Sequence, residues 1–321
     1  EASLLWRRFS YPILIEGMTG GTEEAYEINR NLAEAAERLN IPMGVGSQRA
    51  ALEEPGLART FRVARDEAPD LVLIANIGAT HIVGGEGVDR AKRVVDMIEA
   101  DGLAVHLNPL QEAVQPGGTP SFSDVLPALR DVVSEVGVPV IVKETGAGIS
   151  AETARLLEMA GVSYIDVAGL GGTNWAIVEG MRESCGEIMV RLSRSLSSWG
   201  IPVAASIVEV SRALENASVI ASGGVRSGVD AAKAIALGAD LAGAARPFLR
   251  ALLERGVEGL VSEVDFFLEG LKRSIMLTGC RTPRELKLRG RFVPLGYLSH
   301  WLSWRARRIN FFNPSTSEAG G

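Results

Sequence analysis

Short apolar segments alternate with longer amphipathic ones from the start of the chain to about residue 250. Each apolar segment ends at a glycine or polar residue, as buried strands do. The segments between them carry apolar residues at three- and four-residue spacing, which is typical of helices packed by one face. This repeat predicts βα units around a parallel sheet. The strand candidates are residues 12–17, 41–46, 71–76, 103–108, 138–143, 164–168, 201–206, 219–222 and 241–245.

A closed barrel of βα units has eight strands, so one of these nine candidates must be something else. Residues 201–206 run on into the helix-compatible sequence IVEVSRALE, and we predict that they belong to a helix. An open doubly wound sheet would alternate in the same way. Eight similar units without a long break, and phosphate-binding signals after the last two strands, favour an α/β fold of the (β/α)8 TIM barrel type.

The pattern changes near the end of the chain. It becomes helical after residue 250, then basic and aromatic through RGRFVPLGYLSHWLSWRARRINFF. We therefore expect a barrel with terminal helices over residues 1–290 and a C-terminal helical extension over 291–321. The final NPSTSEAGG is too poor in apolar groups to offset the entropy of ordering, so we expect the end to be disordered.

Composition argues against several functional classes. The 39 acidic and 33 basic residues give a net charge of −6, and no run of like charges indicates binding to nucleic acid or to an anionic membrane. No apolar stretch is long enough to span a membrane, and the N-terminus lacks the apolar region of a signal peptide. Cys185 and Cys280 are far apart and have no CxxC spacing, so we expect two buried, reduced thiols in a cytoplasmic protein.

Glycines follow the last two strand candidates. Gly223 and Gly224 would let backbone N–H groups approach an anion closely, and the helix expected near Gly228 would add its positive end. Ala244 and Ala245 leave matching space after the final strand. Phosphate sites at this place recur in barrels, so a phosphorylated cofactor is predicted. The alternative is a glycine-rich turn that binds nothing.

Polar side chains close three neighbouring strand candidates. Because side chains alternate along a strand, His106 and Asn108 share one direction, and Asn76 and Lys143 would join them at the same end of the barrel. A buried lysine needs an anionic partner, such as a flavin edge or a phosphate. The alternatives are a salt bridge from Lys143 to Glu144 or another carboxylate, and a hydrogen-bonded core role for His106.

Gln111 and Glu112 lie in the loop that follows the fourth strand candidate, residues 103–108. A lone carboxylate beside a diphosphate is a natural ligand for Mg²⁺, which takes one or two carboxylates together with substrate oxygens and water. Considered in isolation, Glu112 is better explained as a solvated loop residue.

Taken together, these motifs closely resemble type 2 isopentenyl diphosphate isomerase, over about residues 11–282 and in the right order. SGGV and GGTN occur widely in FMN barrels, whereas VGSQRAAL with HLNPLQE is specific to this family. The matching segments are EGMTGGT, MGVGSQRAAL, LIANIGA, VHLNPLQEAVQPGGTPSFS, VPVIVKETGAGIS, DVAGLGGTNWA, IASGGVRSGVDAAKAIALGA and MLTGCR.

The resemblance implies roles for residues at matching positions. FMN would be bound by Met18, Thr19, Ser47, Asn76, Lys143, Thr173, Gly223, Gly224, Val225, Ala244 and Ala245. Substrate would contact Ser47, Gln48, Arg49, His106, Asn108 and Gln111. Of these, His106, Asn108 and Gln111 would be catalytic, and Glu112 would bind Mg²⁺ bridged to the diphosphate.

The same resemblance implies the activity, which is conversion of isopentenyl diphosphate to dimethylallyl diphosphate. The family uses FMN reduced by NAD(P)H, with the flavin acting as acid and base, since the chain offers no obvious strong acid near the alkene. Members commonly form tetramers or octamers, so a homo-oligomer is expected.

One departure from the family concerns the N-terminus. Family members begin with a segment carrying an Arg-Lys pair and a nearby His that help to bind the diphosphate, and Arg7 and Arg8 do not match it. Either the start of the chain is missing or diphosphate binding is weaker than usual. The match is also less clear after about residue 290.

Two rival functions remain open at this point. One is an FMN-dependent 2-hydroxy acid oxidoreductase, although such enzymes carry a His and an Arg after the sixth strand, where this chain reads AGLGGTNWA. The other is a non-catalytic flavin-binding barrel.

Overall fold

The computed structural model describes residues 2–5, 7–9, 11–118, 121–182 and 185–311. A two-stranded antiparallel hairpin is followed by eight parallel strands that close into a barrel in the order β10-β3-β4-β5-β6-β7-β8-β9. The predicted TIM barrel is therefore confirmed. The hairpin strands are β1 (Ala2–Leu4) and β2 (Arg7–Phe9), and the barrel strands are β3 (Ile13–Ile15), β4 (Met43–Gly44), β5 (Leu73–Gly78), β6 (Gly102–Leu107), β7 (Val140–Glu144), β8 (Tyr164–Asp166), β9 (Ser218–Ala221) and β10 (Leu241–Ala244).

The strand candidate at residues 201–206 is helical, as predicted. An isolated bridge between Leu170 and Pro202 links this segment to another strand-like residue, and a helix begins at Val203. Proline lacks the N–H that would continue a strand ladder and favours the first turn of a helix.

The helices surround the barrel. Their apolar faces pack on the outward side chains of the strands, such as Ile13, Ile15 and Leu73, in one continuous core. None of the helices among the described residues is long and apolar enough to cross a bilayer. The helices are α1 (Glu23–Leu39), α2 (Arg49–Glu53), α3 (Arg59–Glu67), α4 (Gly87–Ile98), α5 (Pro109–Glu112), α6 (Val125–Glu135), α7 (Ala151–Met159), α8 (Trp175–Gly180), α9 (Glu187–Ser195), α10 (Val203–Ala213), α11 (Gly228–Ala236), α12 (Arg246–Leu277), α13 (Pro283–Arg289) and α14 (Gly296–Phe311), with short 3₁₀ turns at Pro55–Ala58 and Ala79–His81.

The inward side chains form a second, smaller core. Leu14, Ile74 and Ile141 project into the barrel, where the apolar residues of the hairpin cover them from the N-terminal end of the strands. The backbone N–H of Leu5 donates to the hydroxyl of Tyr164 over 3.0 Å. We had not predicted this hairpin, because three-residue strands are too short to show a clear alternation.

The C-terminal extension is helical from Gly296 to Phe311, after five residues without regular structure. Helix α14 lies on α10, where the buried carboxylate of Glu209 accepts hydrogen bonds from Trp301 Nε1 at 2.7 Å and Arg305 Nε at 2.9 Å. The predicted disorder concerns residues that lie outside the described part of the chain. Cys280 is buried as expected, but Cys185 is only half-buried, so that part of the prediction is wrong.

Candidate active site

Polar side chains gather inside the barrel at the C-terminal ends of the strands. The register places His106 of β6 opposite Lys143 of β7, which in turn lies opposite Asp166 of β8. Asn76 of β5 faces the same interior and contacts His106. The structure therefore brings together three of the four residues that the alternation predicted, at the end of the barrel where such folds place their sites. The fourth, Asn108, lies just beyond β6 and bonds Glu112.

Lys143 lies between two buried carboxylates. Its Nζ is 3.3 Å from Oε2 of Glu16 and 3.2 Å from Oδ2 of Asp166. Burial by itself lowers the pKa of Lys143, but the charges of Asp166 and Glu16 outweigh it and raise the pKa above its ordinary value. The lysine is thus a fixed cation at neutral pH.

The suggested alternative of a salt bridge from Lys143 to Glu144 or another carboxylate is confirmed in its second form, because Lys143 pairs with Glu16 and Asp166 and not with Glu144. Adjacent residues on a strand face opposite sides, and Glu144 turns away from the barrel axis. Its Oε2 accepts hydrogen bonds from the backbone N–H groups of the next three residues, Thr145, Gly146 and Ala147, at 2.6, 2.7 and 2.5 Å. Glu144 therefore shapes the loop that follows β7.

Glu16 is a site residue that sequence reasoning missed. Its Oε1 is buried without a hydrogen-bond partner, and burial, reinforced by the charge of Asp166, raises its pKa to about 7. Gly243 on β10 leaves room for it, since a Cβ there would lie 1.9 Å from Oε1. The available signal was a carboxylate placed two residues after the inward Leu14.

His106 is neutral and has a defined tautomer. Its Nδ1 lies 2.8 Å from Oδ1 of Asn76, whose amide nitrogen donates to the carbonyl of Val45 over 3.1 Å. Because an amide oxygen only accepts, the proton is assigned to Nδ1, and Nε2 is left as an acceptor. Burial, reinforced by the charge of Lys143, lowers the pKa of His106 to about 3.

The segment after β6 joins four polar side chains. Asn108 Nδ2 donates to Glu112 Oε1 at 3.1 Å, and Gln111 Nε2 donates to Glu179 Oε1 at 2.6 Å. Glu112 is 7% exposed and lies in the one-turn helix α5, so the reading of it as a solvated loop residue is wrong. Glu179, which is 1% exposed, was missed because it is the fifth residue after GGTN and belongs to no local motif.

Of the three predicted substrate residues in the loop after β4, two are exposed and one is buried. Ser47 and Arg49 are exposed at the mouth of the barrel, where Arg49 Nε lies 3.3 Å from Oε1 of Glu53. Gln48 is fully buried and directed away from the mouth. Its amide donates to the carbonyl of Val94 at 2.8 Å and accepts from the backbone N–H of Asn76 at 2.9 Å. Gln48 thus holds β5, and with it Asn76, in position.

The predicted phosphate-binding region lies after β9 and β10. Gly223 and Gly224 have φ values of +96° and +95°, a conformation that side chains rarely adopt. Within the described part of the chain, the backbone N–H groups of Gly224 and Val225 donate to no carbonyl. The N-terminus of α11, capped by Ser227, follows directly. These free donors and the helix end suit a phosphate group.

The remaining predicted flavin residues surround the same end of the barrel. Thr19 is fixed to the β4 loop, since its carbonyl accepts from the N–H of Gly46 at 3.0 Å, and Met18 precedes it. Thr173 is exposed in the loop after β8, and Ala244 and Ala245 lead into α12. Among the described residues, no three histidine, cysteine, aspartate or glutamate side chains converge on a possible metal position.

Comparison with protein families agrees with this geometry. The family described as FMN-dependent dehydrogenase matches residues 108–290, more than half of the chain. Curated relatives named isopentenyl-diphosphate delta-isomerase match nearly all of it. The relative from Ignicoccus hospitalis is 44% identical over 94% of this chain and 83% of its own. Those from Methanothermobacter thermautotrophicus and Archaeoglobus fulgidus are both 47% identical, over 94% and 95% of this chain and 82% and 86% of theirs.

Solved structures share the fold at much lower identity. A mandelate oxidase with an FMN adduct is 17% identical, with a TM-score of 0.61 over 89% of this chain and 80% of the oxidase. A lactate oxidase from Pediococcus acidilactici is 15% identical, with a TM-score of 0.62 over 87% of this chain and 75% of its own. These two likenesses establish the barrel architecture alone.

Proposed function

Since the chain belongs to the isopentenyl-diphosphate delta-isomerase family, we propose that it interconverts isopentenyl and dimethylallyl diphosphate with FMN, Mg²⁺ and NAD(P)H as the reductant of the flavin. The observation that carries this is the near-complete match, at 44–47% identity, to relatives of that name. Under this proposal, the strand-end cluster at the mouth of the barrel is the active site.

The reaction sets the chemical demands. A double bond moves by one position when a proton is added to its terminal carbon and another is removed from the allylic carbon, which adjoins the other carbon of the double bond, with no net oxidation. Neutral His106 is a poor proton donor at pH 7, because its pKa is about 3. Among the described residues, we find no cationic acid beside the barrel axis other than Lys143, which two carboxylates hold in its charged form.

The residues fit FMN at this site. Gly223, Gly224 and Val225 would hold its phosphate through their backbone N–H groups, together with Ala244 and Ala245. Met18, Thr19, Ser47, Asn76, Lys143 and Thr173 would surround the ring and ribityl chain. Reduced FMN, when bound, supplies a proton-donating and proton-accepting face for the alkene.

Substrate binding falls to the exposed rim of the barrel. Arg49 and Ser47 would contact the diphosphate, and Glu112 would supply one carboxylate to a Mg²⁺ bridged to it. The amide of Asn108 bonds Glu112, and its own Oδ1 is buried without a partner, so this carbonyl oxygen is available to a ligand. Gln48 acts indirectly, by fixing the strand that carries Asn76.

The chain's own residues orient the reacting end. Glu179 fixes the amide of Gln111, and Asn108 Nδ2 lies 3.4 Å from Gln111 Oε1, so this side chain is held from both ends. His106 keeps its proton on Nδ1 and offers Nε2 as an acceptor to substrate. The inward apolar residues beneath exclude water from the alkene.

The oxidoreductase alternative has weaker support. Oxidation of a 2-hydroxy acid would need a basic side chain beside the substrate carbon, and the loop after β8, VAGLGGTN, supplies neither His nor Arg. A non-catalytic flavin-binding barrel would need no ordered Gln111–Glu179 pair. From the family resemblance we also propose a homo-oligomer, tetrameric or octameric, acting in the cytoplasm.

An anaerobic assay tests the proposal. Purified protein is supplied with FMN, NADPH, Mg²⁺ and isopentenyl diphosphate, and each component is omitted in turn. We expect dimethylallyl diphosphate only when flavin, reductant and metal are all present. Bound flavin without product would favour the binding-only alternative.

A further inference from the structure

The barrel interior holds an unusual set of charges. Glu16 and Asp166 are buried, and Lys143 is 14% exposed, among apolar walls that include Leu14 and Ile141, so the fully ionised set would carry a net charge of −1. An uncompensated charge is costly in such a medium, and two carboxylates that share one cation resist ionising together. One carboxylate therefore tends to hold a proton.

The hydrogen bonds indicate which carboxylate that is. Asp166 Oδ1 accepts from Ser222 Oγ at 2.6 Å and from the N–H of Ala168 at 3.3 Å, so this carboxylate has two donors besides Lys143. Glu16 Oε1 has no donor. Gly243 leaves the space that the Glu16 carboxylate occupies, so the neighbouring strand is shaped to accommodate this side chain.

The other elements around Glu16 contribute no second titrating group. Strands β4 and β10 present Gly44 and Gly243, β5 presents Asn76, and β9 presents Ile220, with Ser222 just beyond it. From β6, His106 is neutral at ordinary pH. Besides Asp166 and Lys143, which come from β8 and β7, no charged group in the described part of the chain faces Glu16, whose pKa of about 7 lets it exchange a proton near neutrality.

We propose that Glu16 stores a proton for the flavin site, taking one up from solvent when bound FMN is reduced and releasing it on reoxidation. This rests on the proposed contact between Lys143 and FMN. Reduction adds negative charge at the flavin edge, and this charge attracts the ammonium of Lys143. The ammonium then compensates the charges of Glu16 and Asp166 less than it does beside oxidised flavin. The reductant's two electrons and the accompanying flavin proton go to FMN, while one further proton converts the Glu16 carboxylate to the acid. The adjoining cavity of about 20 Å³, which Glu16 lines, has room for one water molecule to carry that proton.

The test is the midpoint potential of bound FMN as a function of pH, in the wild type, in Glu16→Gln and in Glu258→Gln. The last removes an exposed carboxylate paired with Arg38. Each proton taken up with two electrons shifts the potential by about 30 mV per tenfold change in proton concentration. Above about pH 7, we expect the midpoint potential of the wild type and of Glu258→Gln to fall more steeply with pH than that of Glu16→Gln, by the amount that one proton contributes. Below that pH, all three proteins should show the same slope.

Equal slopes in the wild type and Glu16→Gln over the whole range, with FMN bound in both, would overturn the inference while leaving the FMN site intact. Failure of the wild type to bind FMN would overturn both. If Glu16→Gln does not fold, the redox difference infrared spectrum of the wild type replaces it. A carboxylic-acid C=O band that appears on reduction and shifts in D₂O is expected, and its absence would refute proton storage.

Discussion

The amide nitrogen of Gln111 lies 2.6 Å from Oε1 of Glu179, which fixes the direction of the Gln111 side chain at the mouth of the barrel. The two residues come from different βα units, α5 and α8, and neither α5 nor α8 exceeds two turns. The order of the site therefore depends on this contact more than on the helices that carry it.

Glu179→Gln should lower kcat by roughly 100-fold, because a misdirected reacting group costs about that much, with FMN affinity unchanged. Steady-state kinetics and flavin titration would check this. Glu187→Gln, on the neighbouring α9, is the control for removing a carboxylate. A fall in flavin affinity that accounts for the whole loss would contradict the assigned role.

Lys143→Ala should abolish FMN binding and lower the free energy of unfolding of the apoprotein by about 3–5 kcal/mol at pH 8, since it leaves two buried carboxylates without their cation. Urea unfolding and fluorescence titration with FMN measure the two effects. Lys92→Ala, which removes an exposed lysine paired with Glu135 at 3.0 Å, should cost less than about 1 kcal/mol. Unchanged FMN affinity in Lys143→Ala would contradict the assigned role.

Glu112→Ala should keep its flavin and lose Mg²⁺-dependent turnover. The reason is that Glu112 would supply the single carboxylate of the metal site, and Mg²⁺ needs at least one. Titrating activity with Mg²⁺ after chelation, beside the control Glu135→Ala, tests this. Ordinary Mg²⁺ dependence in Glu112→Ala would remove Glu112 from the metal site.

The stability of the apoprotein should fall as pH rises from about 4.5 to about 7. The pKa of Glu16 is raised in the folded state, so the folded protein holds this proton more tightly than the unfolded chain does. The resulting contribution to the free energy of unfolding is fully present below the pKa of the unfolded chain and is lost as pH rises through the pKa of the folded state. A change from 4.5 to about 7 corresponds to about 3 kcal/mol. Glu16→Gln should remove this part of the pH dependence in urea unfolding curves, and an unaltered curve would show that Glu16 does not titrate in this range.

Much of the architecture could be predicted from periodicity. All eight barrel strands lie within two residues of the predicted starts, because fully buried parallel strands give clear apolar runs. Alternation also placed Asn76, His106 and Lys143 correctly. It could not reveal Glu16 or Glu179, whose partners come from strands and helices distant in sequence. Nor could it show that Gln48 bonds Val94 of the surrounding helix α4, since that depends on how α4 packs.

The central claim is tested most directly by following isopentenyl diphosphate with anaerobic, reduced enzyme in D₂O by NMR. The proposed reaction adds a solvent proton to the terminal carbon, so dimethylallyl diphosphate should appear with deuterium in its new methyl group. The amount of NADPH oxidised should equal the amount of flavin reduced and should not grow with the amount of substrate converted. Consumption of NADPH in proportion to substrate, or an unlabelled and unchanged substrate beside bound reduced FMN, would contradict the assignment as an isomerase.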